Sequence, residues 1–172
     1  MGSAATVFRK EVVLRKDSAE RVRVRPATKD DIEDLADLIA ILFKLEPDYI
    51  IDRAKQKKGL SALIDSYSAY IAVAEFQGRV LGMCSCQTII STSEGGPAGI
   101  IEDLVVSPDF RKKGIGKALI RNVALWAEKK GISRLQLLAD RDNYGALGFY
   151  RKTGWNMTRM ICLRNYSENI IG

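Results

Sequence analysis

The chain has 172 residues, 47% apolar and 28% charged, with a formal net charge of +6, the size and balance of one domain able to bury its own core. No apolar run reaches the roughly 18 to 20 residues of a membrane span and no signal-like stretch opens the chain, so the expectation is a soluble, cytoplasmic protein with no membrane partner. It has no histidine and three cysteines, which argues against a metal site and a disulfide framework and leaves acid/base chemistry to Glu, Asp, Tyr, Cys or Lys.

Taken in order, Met1 to Ala5 reads as a cloning remnant, and residues 1–20 as an N-terminal extension of weak pattern ahead of a domain over 21–172. Val22-Arg23-Val24-Arg25 alternates with period two and stops at Pro26, a strand with its valines inward. Thr28 and Asp31 form a capping-box-like start, and Ile32, Leu35, Ala36, Ile39, Leu42 and Phe43 recur at helical spacing. Pro47 breaks this helix, and Tyr49 to Ser66 reads as a second one interrupted at Gly59.

Ala69 to Phe76 and Val80 to Thr92 are β-rich runs joined by Gln77-Gly78, an antiparallel hairpin. Ser93 to Gly99 reads as a mobile loop, and Ile100 to Val106 as a strand buried on both faces. Lys117 to Lys130 is an amphipathic helix stopped by Gly131. Arg134 to Ala139 is a strand, Asn143 to Thr153 a helix ended by Gly154, and Asn156 to Leu163 a last strand. Cys84 and Cys86, two apart on a strand, read as reduced structural thiols, and Trp126 and Trp155 as core.

The positive charge lies between Arg9 and Lys29, from Lys55 to Lys58, and from Arg111 to Lys117. The first two clusters read as solvated faces; the third is interleaved with glycines and follows a strand that carries Glu102 and Asp103. A helix N-terminus exposes free amides and a positive dipole end, and glycine lets an anion approach the main chain. The spacing is neither that of a P-loop nor that of a dinucleotide-binding fingerprint, since position 119 is Leu.

Arg111-x-x-Gly114-x-Gly116 resembles the acyl-coenzyme A pyrophosphate loop of the GNAT acetyltransferase superfamily. Asn143-x-x-Ala146-x-x-Phe149-Tyr150-x-x-x-Gly154-Trp155 resembles that family's downstream motif. The resemblance covers all but about the first twenty residues. It implies an α/β (α+β) fold, a mixed, mostly antiparallel sheet of six to seven strands flanked by four helices, with acetyl-CoA as acyl donor and an amine as acceptor.

Carried over by position, the resemblance implies that main-chain groups of Leu104 and Val106 pair with pantetheine. Arg111, Lys112, Lys113, Gly114, Ile115, Gly116 and Lys117 bind the pyrophosphate, and Asn143 lies along the cofactor arm. Glu102 becomes the candidate general base, which makes the amine a nucleophile by removing its proton; Asp103, on the opposite face of a regular strand, is the alternative. Tyr150 becomes the acid for the departing thiolate.

The acceptor expected first is a small primary amine, because the Glu102-Asp103 pair resembles that of polyamine-acetylating members. A protein lysine or N-terminal amine is the alternative, and a non-catalytic acyl-CoA-binding regulatory domain a further one. The family resemblance also leaves a homodimer open, and nucleic acid is not the expected partner, because the basic residues are not organised with exposed aromatics.

Overall fold

The computed structural model describes residues 10–13, 21–46 and 48–166. By main-chain contacts these fall into two compact units, 1–137 and 138–172. In the first, six strands form one sheet: β1 (Lys10–Val13), β2 (Arg21–Pro26), β3 (Ala69–Phe76), β4 (Arg79–Ser91), β5 (Gly96–Val106) and β6 (Leu135–Leu137). Spatial order follows chain order. Every neighbour is antiparallel except β5 and β6, a parallel pair that needs a crossover; helix α3 (Ile115–Lys129) supplies it.

The first strand lies inside the segment set apart as an extension. The remainder of that segment, residues 1–9 and 14–20, and Pro47 lie outside the described residues. β2 has the expected alternation, with Val22 and Val24 fully buried. Arg25, on its other face, donates two hydrogen bonds to Asp31, at 2.7 and 2.8 Å, and its Nε reaches Glu75. Asp31 also accepts from the Thr28 amide at 2.7 Å, so the anticipated cap is present and ties the entry of α1 (Ile32–Phe43) to the sheet. Burial opposes the charge of Asp31, but the Arg25 and Thr28 bonds outweigh it and hold its carboxyl below the usual range.

On one sheet face, α1 and α2 (Arg53–Asp65) bury Leu35, Leu38, Ile39 and Leu60 against Ile71, Val73, Met83 and Val105, each such side chain contributing about 1.5 to 3 kcal/mol. The other face carries α3. Gly82 of β4 backs onto it so closely that an added Cβ would meet Val105 O at 2.9 Å and Leu119 Cδ1 at 3.3 Å. The expected β3–β4 hairpin forms at Gln77-Gly78, both with positive φ (51° and 77°), the twist that suits a two-residue turn.

Several boundaries differ from the sequence expectations. α2 runs unbroken through Gly59 and starts only at Arg53, because the Asp52 carboxylate accepts from the amides of Ala54 and Lys55 and sets the start. An interior glycine costs only about 1 kcal/mol, less than the buried Leu60 face returns. The segment Ser93–Gly99 is largely strand: β5 begins at Gly96, paired with Ser91, and Glu94 in the turn accepts from Ser133 and Arg134, each at 2.9 Å. β5 is not buried on both faces, since Glu102 is exposed and Asp103, Leu104 and Val106 are half-buried.

The second unit contains α4 (Tyr144–Lys152). The strand expected over 156–163 does not form; Met157, Met160, Ile161 and Leu163 are each more than 70% exposed, so its alternating pattern finds no ladder to satisfy its main chain.

Candidate active site

Between β4 and β5 the register slips. Cys84 faces Leu104, yet Cys86 faces Ile101, so one extra residue of β5 is accommodated at Glu102–Asp103, a β-bulge. Gln87 Nε2 donates to Glu102 Oε2 at 2.9 Å. Ser85 Oγ donates to Asp103 Oδ2 at 2.8 Å and accepts from the Asp103 amide at 3.0 Å. Ser85 and Gln87 are two apart on β4 and share a face. The bulge therefore brings both carboxylates to the α1/α2 side of the sheet, whereas a regular strand would have turned Asp103 to the opposite one.

Glu102 lines a cavity of about 430 Å³ with Gly59, Ala62, Leu63, Ser66 and Gln87. Small side chains on α2 leave that space open. The two acids differ in setting. Glu102 is exposed, while burial pushes the Asp103 carboxyl up to about 6, against the lowering effect of the Ser85 bond and with help from Glu102 and Glu46. Behind them, burial pushes the Cys86 thiol up to about 12 and holds Cys84 well above its ordinary value. Two protonated, buried thiols are poor nucleophiles, in line with their reading as structural.

β5 leaves the sheet into a 3-10 turn at Pro108–Phe110 and then the basic loop. Ser107 N donates to Leu81 O at 2.7 Å, and Asp103 N turns to Ser85; residues of this parity aim their main chain at β4. By strand alternation Leu104 and Val106 aim theirs at the other edge, where β6 pairs only with Gly99 to Ile101. Arg111 Nε already uses that edge, donating to Val106 O at 3.0 Å.

The loop turns through Lys112 and Gly114, at φ 60° and 86°. The latter conformation suits glycine, and it aims the chain straight into α3 at Ile115, two residues earlier than the sequence suggested. The amides of Ile115, Gly116 and Lys117 have no acceptor within the helix. Ile115 plugs the core at 1% exposure, while Arg111, Lys112, Lys113 and Lys117 are exposed around the turn. Glu102, Leu104, Val106 and the residues from Arg111 to Lys117 thus lie on one continuous strand, turn and helix.

Asn143, at the N-cap of α4, and Tyr150, within it, belong to the second unit. The Asn143 side-chain oxygen Oδ1 caps that helix, accepting from Ala146 N at 3.0 Å. The Tyr150 ring sits edge-on to Phe149 and Trp155, at 5.5 and 6.0 Å between centroids. Sequence reasoning missed Ser85 and Gln87, which hydrogen-bond to the carboxylate pair. Nothing local marks them; Ser85 lies between the two cysteines that drew attention instead.

Among known proteins, the model of the acetyltransferase (GNAT) family matches residues 33–155. An uncharacterised N-acetyltransferase of Methanocaldococcus jannaschii is 29% identical over 140 residues, 80% of this chain, and the match spans only 62% of that protein's length. An uncharacterised N-acetyltransferase of Archaeoglobus fulgidus is 30% identical over 131 residues, 75% of this chain and 89% of that one. Among solved structures, an aminoglycoside N-acetyltransferase in complex with CoA superposes with a TM-score of 0.74 at 17% identity, covering 89% of this chain and 99% of that one.

Proposed function

We propose a specific reaction for this chain, which belongs to the acetyltransferase (GNAT) family and is an N-acetyltransferase: transfer of an acetyl group from acetyl-CoA to a small primary amine, by direct attack with both substrates bound. The observation that carries the proposal is the strand, left-handed glycine turn and helix start from Glu102 to Lys117. Its residues suit the donor. Three amides with no acceptor within the helix, at its N-terminus, and four exposed cations match a pyrophosphate, and position 114 has no Cβ to obstruct it.

Acetyl-CoA supplies the acetyl group activated as a thioester. Arg111, Lys112, Lys113, Gly114, Ile115, Gly116 and Lys117 are proposed to hold its pyrophosphate, and the outward main-chain groups of Leu104 and Val106 its pantetheine. An amide on this free edge would stabilise the negative charge that develops on the acyl oxygen. Asn143 is proposed to lie along the cofactor arm and Tyr150 to protonate the departing sulfur, both on the strength of their motif. The Glu102 side of β5 is the proposed acceptor side, where the acidic pair, Glu102 and Asp103, receives the ammonium and takes its proton.

A small acceptor is supported by the size of the cavity beside Glu102, about 430 Å³, within the usual range for small-molecule sites. The aminoglycoside activity of the structural neighbour is consistent with it. The test is coenzyme A release from acetyl-CoA with a panel of diamines, polyamines, amino sugars and peptides bearing free N-termini or lysines. Turnover confined to peptides would replace the small-amine reading with protein acetylation.

A further inference from the structure

We propose that Asp103 is the carboxylate that takes the acceptor's proton, that Ser85 is the positioning residue holding it in place, and that Glu102 holds the incoming ammonium. The inference rests on the reaction proposed above and assigns the work within its acidic pair. It follows from the bulge. In a regular strand the two acids would face opposite ways; here both reach side chains on one face of β4, Glu102 to Gln87 and Asp103 to Ser85.

Their settings divide the labour. Glu102 is exposed and lines the cavity, so it can meet a hydrated cation at little desolvation cost. Asp103 is half-buried behind it, with Ser85 at 1% exposure. The doubled bond to Ser85, hydroxyl to carboxylate and amide to hydroxyl, occupies Oδ2 and ties the side chain to β4, leaving Asp103 Oδ1 as the proton acceptor.

The groups that face Asp103 are Glu102 on its own strand, Glu46 after α1, and the Ser85 hydroxyl on β4. Toward this face α1 presents Leu35, Leu38 and Ile39, α2 presents Gly59, Ala62 and Leu63, and Ser66 follows α2, all uncharged. Burial, with two like charges, makes the ionised form of Asp103 a stronger base than an exposed carboxylate, which suits the buried and the exposed acid to separate roles.

The balance is simple. The ammonium proton passes to Asp103 Oδ1, and the freed nitrogen pair forms the bond to the acyl carbon. As the carbon–sulfur bond breaks with its electron pair on sulfur, the sulfur takes a proton from the acid proposed above. The nitrogen of the intermediate gives up its second proton to leave the amide and, through solvent, restore that acid, and Asp103 returns its own proton to solvent.

The test is the pH dependence of kcat and kcat/KM at saturating acetyl-CoA with an amine the protein acetylates, alongside acetyl-CoA affinity. The wild type is expected to lose activity below an apparent pKa near 6. Asp103→Asn should lose about 10²- to 10⁴-fold in kcat, with acetyl-CoA binding unchanged. Ser85→Ala should move the acid limb to higher pH, because the charged form loses its donor, and Ser85→Thr should move it back. Glu102→Gln should mainly raise the KM for the amine.

An active Asp103→Asn enzyme with the acid limb intact overturns this assignment alone, as does a Ser85→Ala profile that does not move. A wild-type protein that binds acetyl-CoA and acetylates no amine overturns the reaction itself, and this assignment with it.

Discussion

Replacing Asp103 by Asn should make the protein more stable at neutral pH even though it disables the proposed chemistry. The folded protein holds this carboxyl at about 6, against an ordinary value of 3.8. Because the folded value is the higher one, the folded state favours the protonated acid. That preference is fully present below pH 3.8 and is lost as pH rises through 6, so keeping Asp103 ionised at pH 7.5 weakens folding. At about 1.4 kcal/mol per pH unit, a displacement from 3.8 to 6 comes to about 3 kcal/mol. Asn keeps the shape and an oxygen to accept from Ser85, and it carries no charge beside Glu102 and Glu46.

Urea unfolding of wild type and Asp103→Asn at pH 7.5 and pH 4 reads this directly, since the difference between proteins cancels every other titration. The expected gain is up to about 3 kcal/mol at pH 7.5, or roughly 6 to 12 °C in Tm for a chain this long, shrinking to a few tenths at pH 4. A variant that is less stable than wild type at pH 7.5, or equally affected at both pH values, refutes the account of a strained carboxylate in the bulge. A stabilising substitution that removes activity is the pattern expected where a site holds an unfavourable charge for its chemistry.

Gly114→Val should abolish saturable acetyl-CoA binding, measured by calorimetry, while leaving circular dichroism unchanged, since a β-branched residue resists φ of 86°; intact binding in a folded variant would remove the loop from the donor site. Tyr150→Phe should lower kcat by about 10²-fold or more with acetyl-CoA affinity nearly intact, and an equal loss of both would argue against the acid role. Gly82→Ala should destabilise by about 1 to 3 kcal/mol in urea melts, because the new Cβ would lie 2.9 Å from Val105 O. Asp31→Asn should cost about 2 to 3 kcal/mol at pH 7 by removing the charged partner of Arg25; the carboxyl is held low in the fold, so this difference should vanish as the pH falls through its folded value.

Most of the scaffold was legible because its signals are local. The alternation at Val22 and Val24, the cap at Thr28 and Asp31, the turn at Gln77-Gly78 and the stripe through Ile115, Leu119, Val123 and Trp126 each lie within a few residues, and each has the structure its pattern called for. The basic glycine turn before α3 was legible for the same reason. Where a pattern depended on a neighbour it misled: Asn156 to Leu163 alternates like a strand, but pairing is decided elsewhere in the chain.

By itself, then, the sequence determined the elements from β2 to α4 and their order, the family and the strand, glycine turn and helix start, while β1 escaped it and the strand over 156–163 was read where none forms. Only the tertiary structure decided how Glu102 and Asp103 are disposed. One extra residue in β5 opposite Ser85 turns two acids expected on opposite faces onto the same one, and leaves one exposed and the other half-buried. A strand's facing has a period of two and its register is set by hydrogen bonds to a partner many residues away, so a single-residue slip reverses a side chain without leaving any mark in the local sequence.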